Sequence, residues 1–156
     1  RIGLVGNLAV VANTGNATLR ARLAMGMLNV VGAADVRVAV GSHSKQEQQD
    51  HELAHCDYLA PEDELDPRGG HELIMDTLAS AQEAGRKVCF ALNSALTDFA
   101  AVLRDQRWPS LRSCVCNVTH MGGVVKNPVG AFEVDREAFN VFHDEDAAEW
   151  VYSKLQ

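Results

Sequence analysis

Apolar positions along this chain change their period several times. Leu4 to Ala12 is a nearly continuous apolar run rich in Val, closed by Asn13-Thr14-Gly15-Asn16, and it predicts a buried strand. From Thr18 to Val31 the stripe Leu19, Leu23, Met27 and Val30 has helical spacing, and Gly32 stands where a helix C-cap is expected. Val36 to Val40 predicts a second strand. Gly41 to Gly70 shows no regular period and carries Pro61, Pro67, Gly69 and Gly70, so a long loop is expected there. Helical spacing resumes over His71 to Ala84 through Leu73, Ile74, Leu78 and Ala81, and Gly85 ends it. Lys87 to Leu92 reads as strand, Leu96 to Leu103 as helix, and Ser113 to Val118 as strand. Residues 124–140 read as loop with a short strand at Ala131 to Val134, and Asp144 opens a last helix with Glu145, Asp146 and Glu149 in favourable positions.

Strand and helix therefore alternate without internal repeat. The expected fold is α/β, a mostly parallel sheet with helices on both faces and a Rossmann-like core. In such sheets ligands sit beyond the carboxyl ends of the strands. The loops to inspect are Asn13 to Asn16, Ser42 to Gly70, Asn93 to Ala95 and His120 to Asn140. The chain begins at Arg1 and reads as strand almost at once, so residues 1–156 are expected to be one partial domain cut from something longer.

Composition narrows the function classes. The net charge of −7 argues against a general nucleic-acid binder, and much of the negative charge falls between Glu47 and Asp66, the pattern of a solvated loop. No apolar run approaches the roughly 20 residues of a membrane helix, so no membrane partner is expected. Cys114 and Cys116 are two apart in a strand-like run and are expected on one face, without the second ligand pair of a zinc finger. The four cysteines then read as buried free thiols in a reducing, cytoplasmic compartment.

Candidate chemistry lies in the turns. Asn13 and Asn16 could grip hydroxyl groups, because asparagine both donates and accepts, or could cap the following helix. Asn93 could turn its backbone carbonyl toward a hard cation such as calcium, and Ser94 could cap a helix. Gly122-Gly123 permits close backbone approach to a ligand. His51-Glu52-Leu53-Ala54-His55 matches H-E-x-x-H, the zinc-hydrolase helix motif, although the segment is polar and no third ligand beyond His71 or Glu72 presents itself. G-x-S-x-G, G-x-G-x-x-G and G-x-x-x-x-G-K are absent from the sequence.

Five short motifs in order carry a resemblance. They are Val10-Val11-Ala12-Asn13 followed by Arg20 to Ala24, Val38-Ala39-Val40-Gly41, Ala91-Leu92-Asn93-Ser94-Ala95-Leu96-Thr97-Asp98, Met121-Gly122-Gly123, and Phe139-Asn140 followed by Asp144 to Ala148. Together they resemble the inosine–uridine-preferring nucleoside hydrolases, whose corresponding motifs include A-L-G-P-L-T-N, M-G-G and E-F-N. The resemblance implies an N-glycosyl hydrolase of nucleoside and purine metabolism that attacks a ribonucleoside with a calcium-bound water. It implies that Asn13 and Asn140 hold the ribose hydroxyls, with Asn16 competing for the first role, that Met121 approaches the sugar, and that the Asn93 carbonyl ligates calcium. It also implies a homo-oligomer.

The family's D-x-D-x-x-x-D-D cluster, its H-G-x-D-G motif and its downstream aspartate are not in these 156 residues, so no catalytic residue is assigned and the isolated chain is expected to be inactive. Ala138 stands where the resemblance implies a ribose-binding glutamate, and Phe132 where it implies an asparagine. Glu133, Asp135 and Glu137 are the candidates for the lost carboxylate. The alternative expectation is a non-catalytic ligand-binding or scaffold protein on the same fold.

Overall fold

A computed structural model describes residues 7–43 and 56–155. The His51–His55 motif lies outside the described residues. Its two suggested third ligands are engaged elsewhere: His71 Nε2 is 2.7 Å from Asp105, and Glu72 accepts two hydrogen bonds from Arg107.

The order of elements is β1 (Ala9–Ala12), α1 (Ala17–Val30), β2 (Arg37–Val40), a 3-10 turn (Glu62–Glu64), α2 (Gly69–Glu83), β3 (Val88–Leu92), α3 (Thr97–Arg104), α4 (Trp108–Leu111), a second 3-10 turn (Arg112–Cys114), β4 (Val115–His120), β5 (Val124–Lys126), β6 (Phe132–Val134), α5 (Phe139–Phe142) and α6 (Glu145–Leu155). The α/β class read from the periodicity holds. Among the described residues the parallel strands form two pairs, β1 with β2 and β3 with β4. The remaining pair, β5 with β6, is antiparallel.

Local chemistry explains where the long helices stop. Gly32 and Gly85 have φ of 71° and 64°, the left-handed region that only glycine enters freely. Each closes a Schellman motif: Ala33 N–H donates to Leu28 O after α1, and Arg86 N–H donates to Ala81 O after α2. At its other end α1 is capped by Asn16, whose Oδ1 accepts from Leu19 N–H. Asp144 caps α6 by accepting from Ala147 N–H.

Among the described residues three apolar clusters hold the layers together. Ala21, Met25, Val38, Ala60 and Leu65 join α1 to β2. Met75, Leu78, Val102, Leu111 and Cys114 join α2 to α3 and α4. Leu96, Phe99, Ala100, Val141, Ala147, Ala148 and Val151 lie between α3 and α6. No helix among the described residues is long and apolar enough to cross a membrane.

Several sequence expectations are corrected. Of the run Leu4 to Ala12, only Ala9–Ala12 among the described residues is strand. The irregular stretch before the second long helix ends at Arg68, the N-cap, because Gly69 and Gly70 are already in α2. Residues 124–140 are a hairpin followed by a short helix rather than a loop with one strand. Ser94 does not cap α3, whose N-cap is Leu96 without a side-chain hydrogen bond. Cys114 and Cys116 do not share a strand face. Cys114 is buried in a 3-10 turn, where a 3.0-residue repeat replaces strand alternation, and Cys116 is exposed on β4, as is Cys89 on β3. Buried free thiols therefore describe Cys114 alone.

Candidate functional site

The carboxyl ends of β1, β3 and β4 meet through hydrogen bonds between their turns. Asn13 follows β1 and sends its amide Nδ2 to Ala95 O at 3.1 Å and to Asp98 Oδ2 at 2.5 Å. Thr14, next to it, is buried and shares a 2.7 Å hydroxyl contact with Ser94. The turn after β3 is thus tied to the turn after β1. It is tied also to β4, since Met121 N–H donates to Leu92 O at 2.8 Å. Asn140 closes the series from α5 by donating its amide Nδ2 to Met121 O at 2.5 Å. Asn13, Asn93, Met121 and Asn140 therefore occupy one rim, linked in that order through neighbouring backbone.

Their side chains differ in what they leave available. Asn93 is exposed at the end of β3. Met121, next to two glycines, is 64% exposed. Both Asn13 and Asn140 use their amide donors inside the rim. Asn16 is exposed, and its side-chain carbonyl serves the α1 cap.

Asp98 is the rim residue that sequence reasoning passed over. It lies in the first turn of α3, nearly buried, and accepts from Asn13 Nδ2, from Ser42 N–H at 3.0 Å and from Ser42 Oγ at 3.0 Å. One carboxylate thereby joins the ends of β1 and β2 to α3, with the positive end of that helix favouring its charge. The resemblance places Asn, not Asp, at this position of the A-L-G-P-L-T-N motif, and that difference was the available signal.

Behind the glycine turn lies a cavity of about 310 Å³, lined by Leu92, His120, Gly122, Gly123, Val124 and Tyr152 among others. A larger hollow of about 460 Å³, between the β5–β6 hairpin and α6, contains none of the rim asparagines. The smaller one adjoins the chemistry. A Cβ on Gly122 would come within 2.2 Å of the His120 ring, so any larger residue there would displace His120. Of the three acidic residues considered for the missing carboxylate, Asp135 reaches the turn: its N–H donates to Gly123 O at 2.9 Å. Glu133 is held by Asn127 in the hairpin, and Glu137 N–H donates to Asp135 Oδ1.

His120 lines this cavity with Nδ1 2.8 Å from the Tyr152 hydroxyl. Burial pushes its pKa below the usual imidazole value, and the Ser94 backbone pulls weakly the other way. Burial, with Arg20 nearby, lowers His143 as well. A histidine with a depressed folded pKa takes up its proton first in the unfolded chain, so stability is full above the unfolded pKa of about 6.5 and falls as pH drops toward the folded value. Urea midpoints should therefore decline from pH 7.5 to pH 5.5, and His120→Gln should flatten that decline. Equal slopes for His120→Gln and the parent chain would refute the assignment for His120.

Calcium is the cation the resemblance implies. Among the described residues no group of three or more His, Cys, Asp or Glu side chains is placed to hold a metal. The rim offers the Asn93 carbonyl but no cluster of carboxylates, so these residues do not by themselves fit the ion, and no chemical step is derived through it.

The comparisons agree with this architecture. Residues 5–156 match the family model described as inosine-uridine preferring nucleoside hydrolase. Among solved structures the chain is similar to the type III effector protein XopQ in complex with adenosine diphosphate ribose, with TM-score 0.72 and 23% identity over 96% of this chain and 44% of that one. It is similar also to the effector protein XOO4466, with TM-score 0.71 and 19% identity over 96% of this chain and 53% of that one. The chain spans about half the length of these two structures. No curated protein matches it.

Proposed function

Because the chain belongs to the inosine-uridine preferring nucleoside hydrolase family, we propose that it supplies the ribose-facing rim of an N-glycosyl hydrolase acting on ribonucleosides. The observation that carries this reading is the hydrogen-bonded series Asn13–Ala95 and Leu92–Met121–Asn140, which draws three separate strand ends into one edge. Asn13 and Asn140 would accept from ribose hydroxyls through their side-chain oxygens, since their N–H groups are engaged within the rim. Met121 would pack on the sugar. Asn16 is the weaker candidate, because its oxygen caps α1. The Asn93 carbonyl would complete a calcium site whose carboxylates this chain does not contain. When bound, that ion would orient a water and lower its pKa.

A second reading, a ligand-binding member without catalysis, is favoured by Ala138 at the position of the expected glutamate. A small residue there can neither accept from nor donate to a sugar.

Both readings predict that this chain alone releases no base from ribonucleosides, with or without calcium, because a general base and most metal ligands are missing. Robust base release by the purified chain would overturn that statement. Titration with adenosine, inosine and adenosine diphosphate ribose, followed by chemical-shift changes, tests the rim directly. Asn140→Ala should weaken binding about tenfold, the loss of one well-placed hydrogen-bonding group. Unchanged binding would place the sugar elsewhere. A longer protein that contains this chain and cleaves nucleosides in a calcium-dependent way would select the hydrolase reading, and binding without cleavage would select the second.

A further inference from the structure

Cys89 on β3 and Cys116 on β4 form a pair that the rim does not use. Their sulfurs are 3.2 Å apart, and both residues are exposed among the described residues. The other two cysteines are not in this pair: Cys114 is buried and donates to Leu111 O, and Cys56 lies before the Glu62–Glu64 turn. A register irregularity creates the contact. Val88 pairs with Val115, but Cys89 pairs with Asn117, so Cys116 is an extra residue on β4. A bulge of this kind re-aims side chains, and here both Cys116 and Asn117 lie on the exposed side.

From this geometry we propose that Cys89 and Cys116 are a reversible redox pair that closes to a disulfide between β3 and β4. Neighbouring strands lie about 4.8 Å apart, inside the window of roughly 4.4–6.8 Å between Cα atoms that a disulfide needs. The sulfurs have about 1.2 Å to travel to reach the bond length of roughly 2.05 Å, a distance that side-chain rotation covers. The oxidant class is a low-molecular-weight disulfide such as oxidised glutathione. The Cys116 thiolate attacks one of its sulfurs, forming a mixed disulfide and expelling one thiolate. The Cys89 thiol then loses its proton, and its sulfur attacks Cys116 Sγ and expels the second thiol. Two protein thiols are oxidised by two electrons, and one small disulfide is reduced to two thiols. The contact with Cys116 holds the Cys89 proton more tightly than usual, which fits Cys116 as the first nucleophile. Cys89 is four residues before Asn93, about 13 Å along its strand, and Cys116 is five residues before Met121, so the bond would tether the strands that carry the rim without touching the rim itself.

The test is peptide mapping of the full chain after equilibration in buffers of increasing oxidised-to-reduced glutathione ratio. A Cys89–Cys116 crosslink that accumulates with the ratio and is reversed by reduced glutathione is expected. Cys89→Ser should trap a stable glutathione adduct on Cys116, because no neighbouring thiol remains to resolve it. The proposal is overturned if the two peptides stay unlinked at saturating oxidised glutathione, whether free or each carrying glutathione, or if either cysteine crosslinks instead to Cys56. The wild-type map decides the matter even if the serine variant fails to fold.

Discussion

Asp98→Ala is expected to lower the stability of this chain by roughly 3–4 kcal/mol, read as a shift of the urea midpoint at unchanged slope. The carboxylate accepts three hydrogen bonds in a nearly solvent-free position, from Asn13 Nδ2, Ser42 N–H and Ser42 Oγ. Removing it deletes charge-assisted bonds worth about 1.5–3 kcal/mol each and leaves their donors without a partner. Losses of this kind are not additive, because Ser42 supplies two of the three donors and can turn toward water. The remaining cost is still a large fraction of the roughly 5–15 kcal/mol that holds a typical domain together. Asp98→Asn separates charge from shape. Its oxygen can still accept from Ser42, but its NH₂ would face the Asn13 amide, and a flip of Asn13 to relieve that clash would forfeit the bond to Ala95 O. About 1–2 kcal/mol is expected for this variant. If Asp98→Ala cost less than 1 kcal/mol, the carboxylate would not be the fastening between β1, β2 and α3.

Asp98 also shows where sequence reading stops. The long helices were legible because their apolar stripes and terminal glycines obey local rules, and Gly32 and Gly85 terminate α1 and α2 where the composition puts them. The carboxyl ends of β1, β2 and β3 were legible because these strands are largely apolar and stop at turn residues, whereas β4 is read from sequence as ending at Val118 and runs on to His120, because Asn117, Thr119 and His120 break its apolar pattern. Asp98 was not, since nothing in the helical spacing of Leu96, Phe99 and Ala100 reveals that a polar neighbour faces a turn more than fifty residues away in sequence. The β5–β6 hairpin was only half visible. Val124, Val125 and Lys126 are all exposed, so the strand shows no alternation of apolar and polar positions. What holds it is the Asn127 turn, in which Asn127 Oδ1 accepts from Val129 N–H and Ala131 N–H. Asn-Pro was the legible signal there. The two-residue spacing of Cys114 and Cys116 misled because it promises a shared face only within one unbroken strand. Asn13, Asn93, Met121 and Asn140 stand out for their chemistry and their family motifs, and they are gathered at one edge by the Asn13 and Asn140 side-chain amides and the Met121 backbone N–H, contacts that no spacing rule encodes. Their roles toward a ligand remain the subject of the binding test on Asn140.

Gly26→Ala should destabilise the chain by about 3 kcal/mol, against the intrinsic tendency of the substitution. In the interior of an exposed helix, replacing glycine by alanine gains about 1 kcal/mol. Here α1 passes directly under residues 58–60, and a Cβ at position 26 would sit 1.6 Å from Tyr58 O and 3.2 Å from Ala60 N. Both are backbone atoms, so no rotamer change makes room. The segment would have to lift, breaking the bond from Arg22 Nε to Ala60 O at 2.7 Å and that from Ala60 N–H to Arg22 O at 3.1 Å. It would also loosen Ala60 and Leu65 from Met25 and Val38. Overpacking alone costs about 1–3 kcal/mol, and the two lost hydrogen bonds add about 1 kcal/mol each, which outweighs the propensity gain. Gly85→Ala separates crowding from backbone strain: nothing lies within 4 Å of a Cβ there, and only its φ of 64° resists, so about 1 kcal/mol is expected. Hydrogen exchange distinguishes the two mechanisms. Gly26→Ala should speed exchange at the Ala60 amide far more than its global destabilisation explains, whereas Gly85→Ala should not. Protection at Ala60 unchanged in Gly26→Ala would mean that the segment does not rest on this glycine.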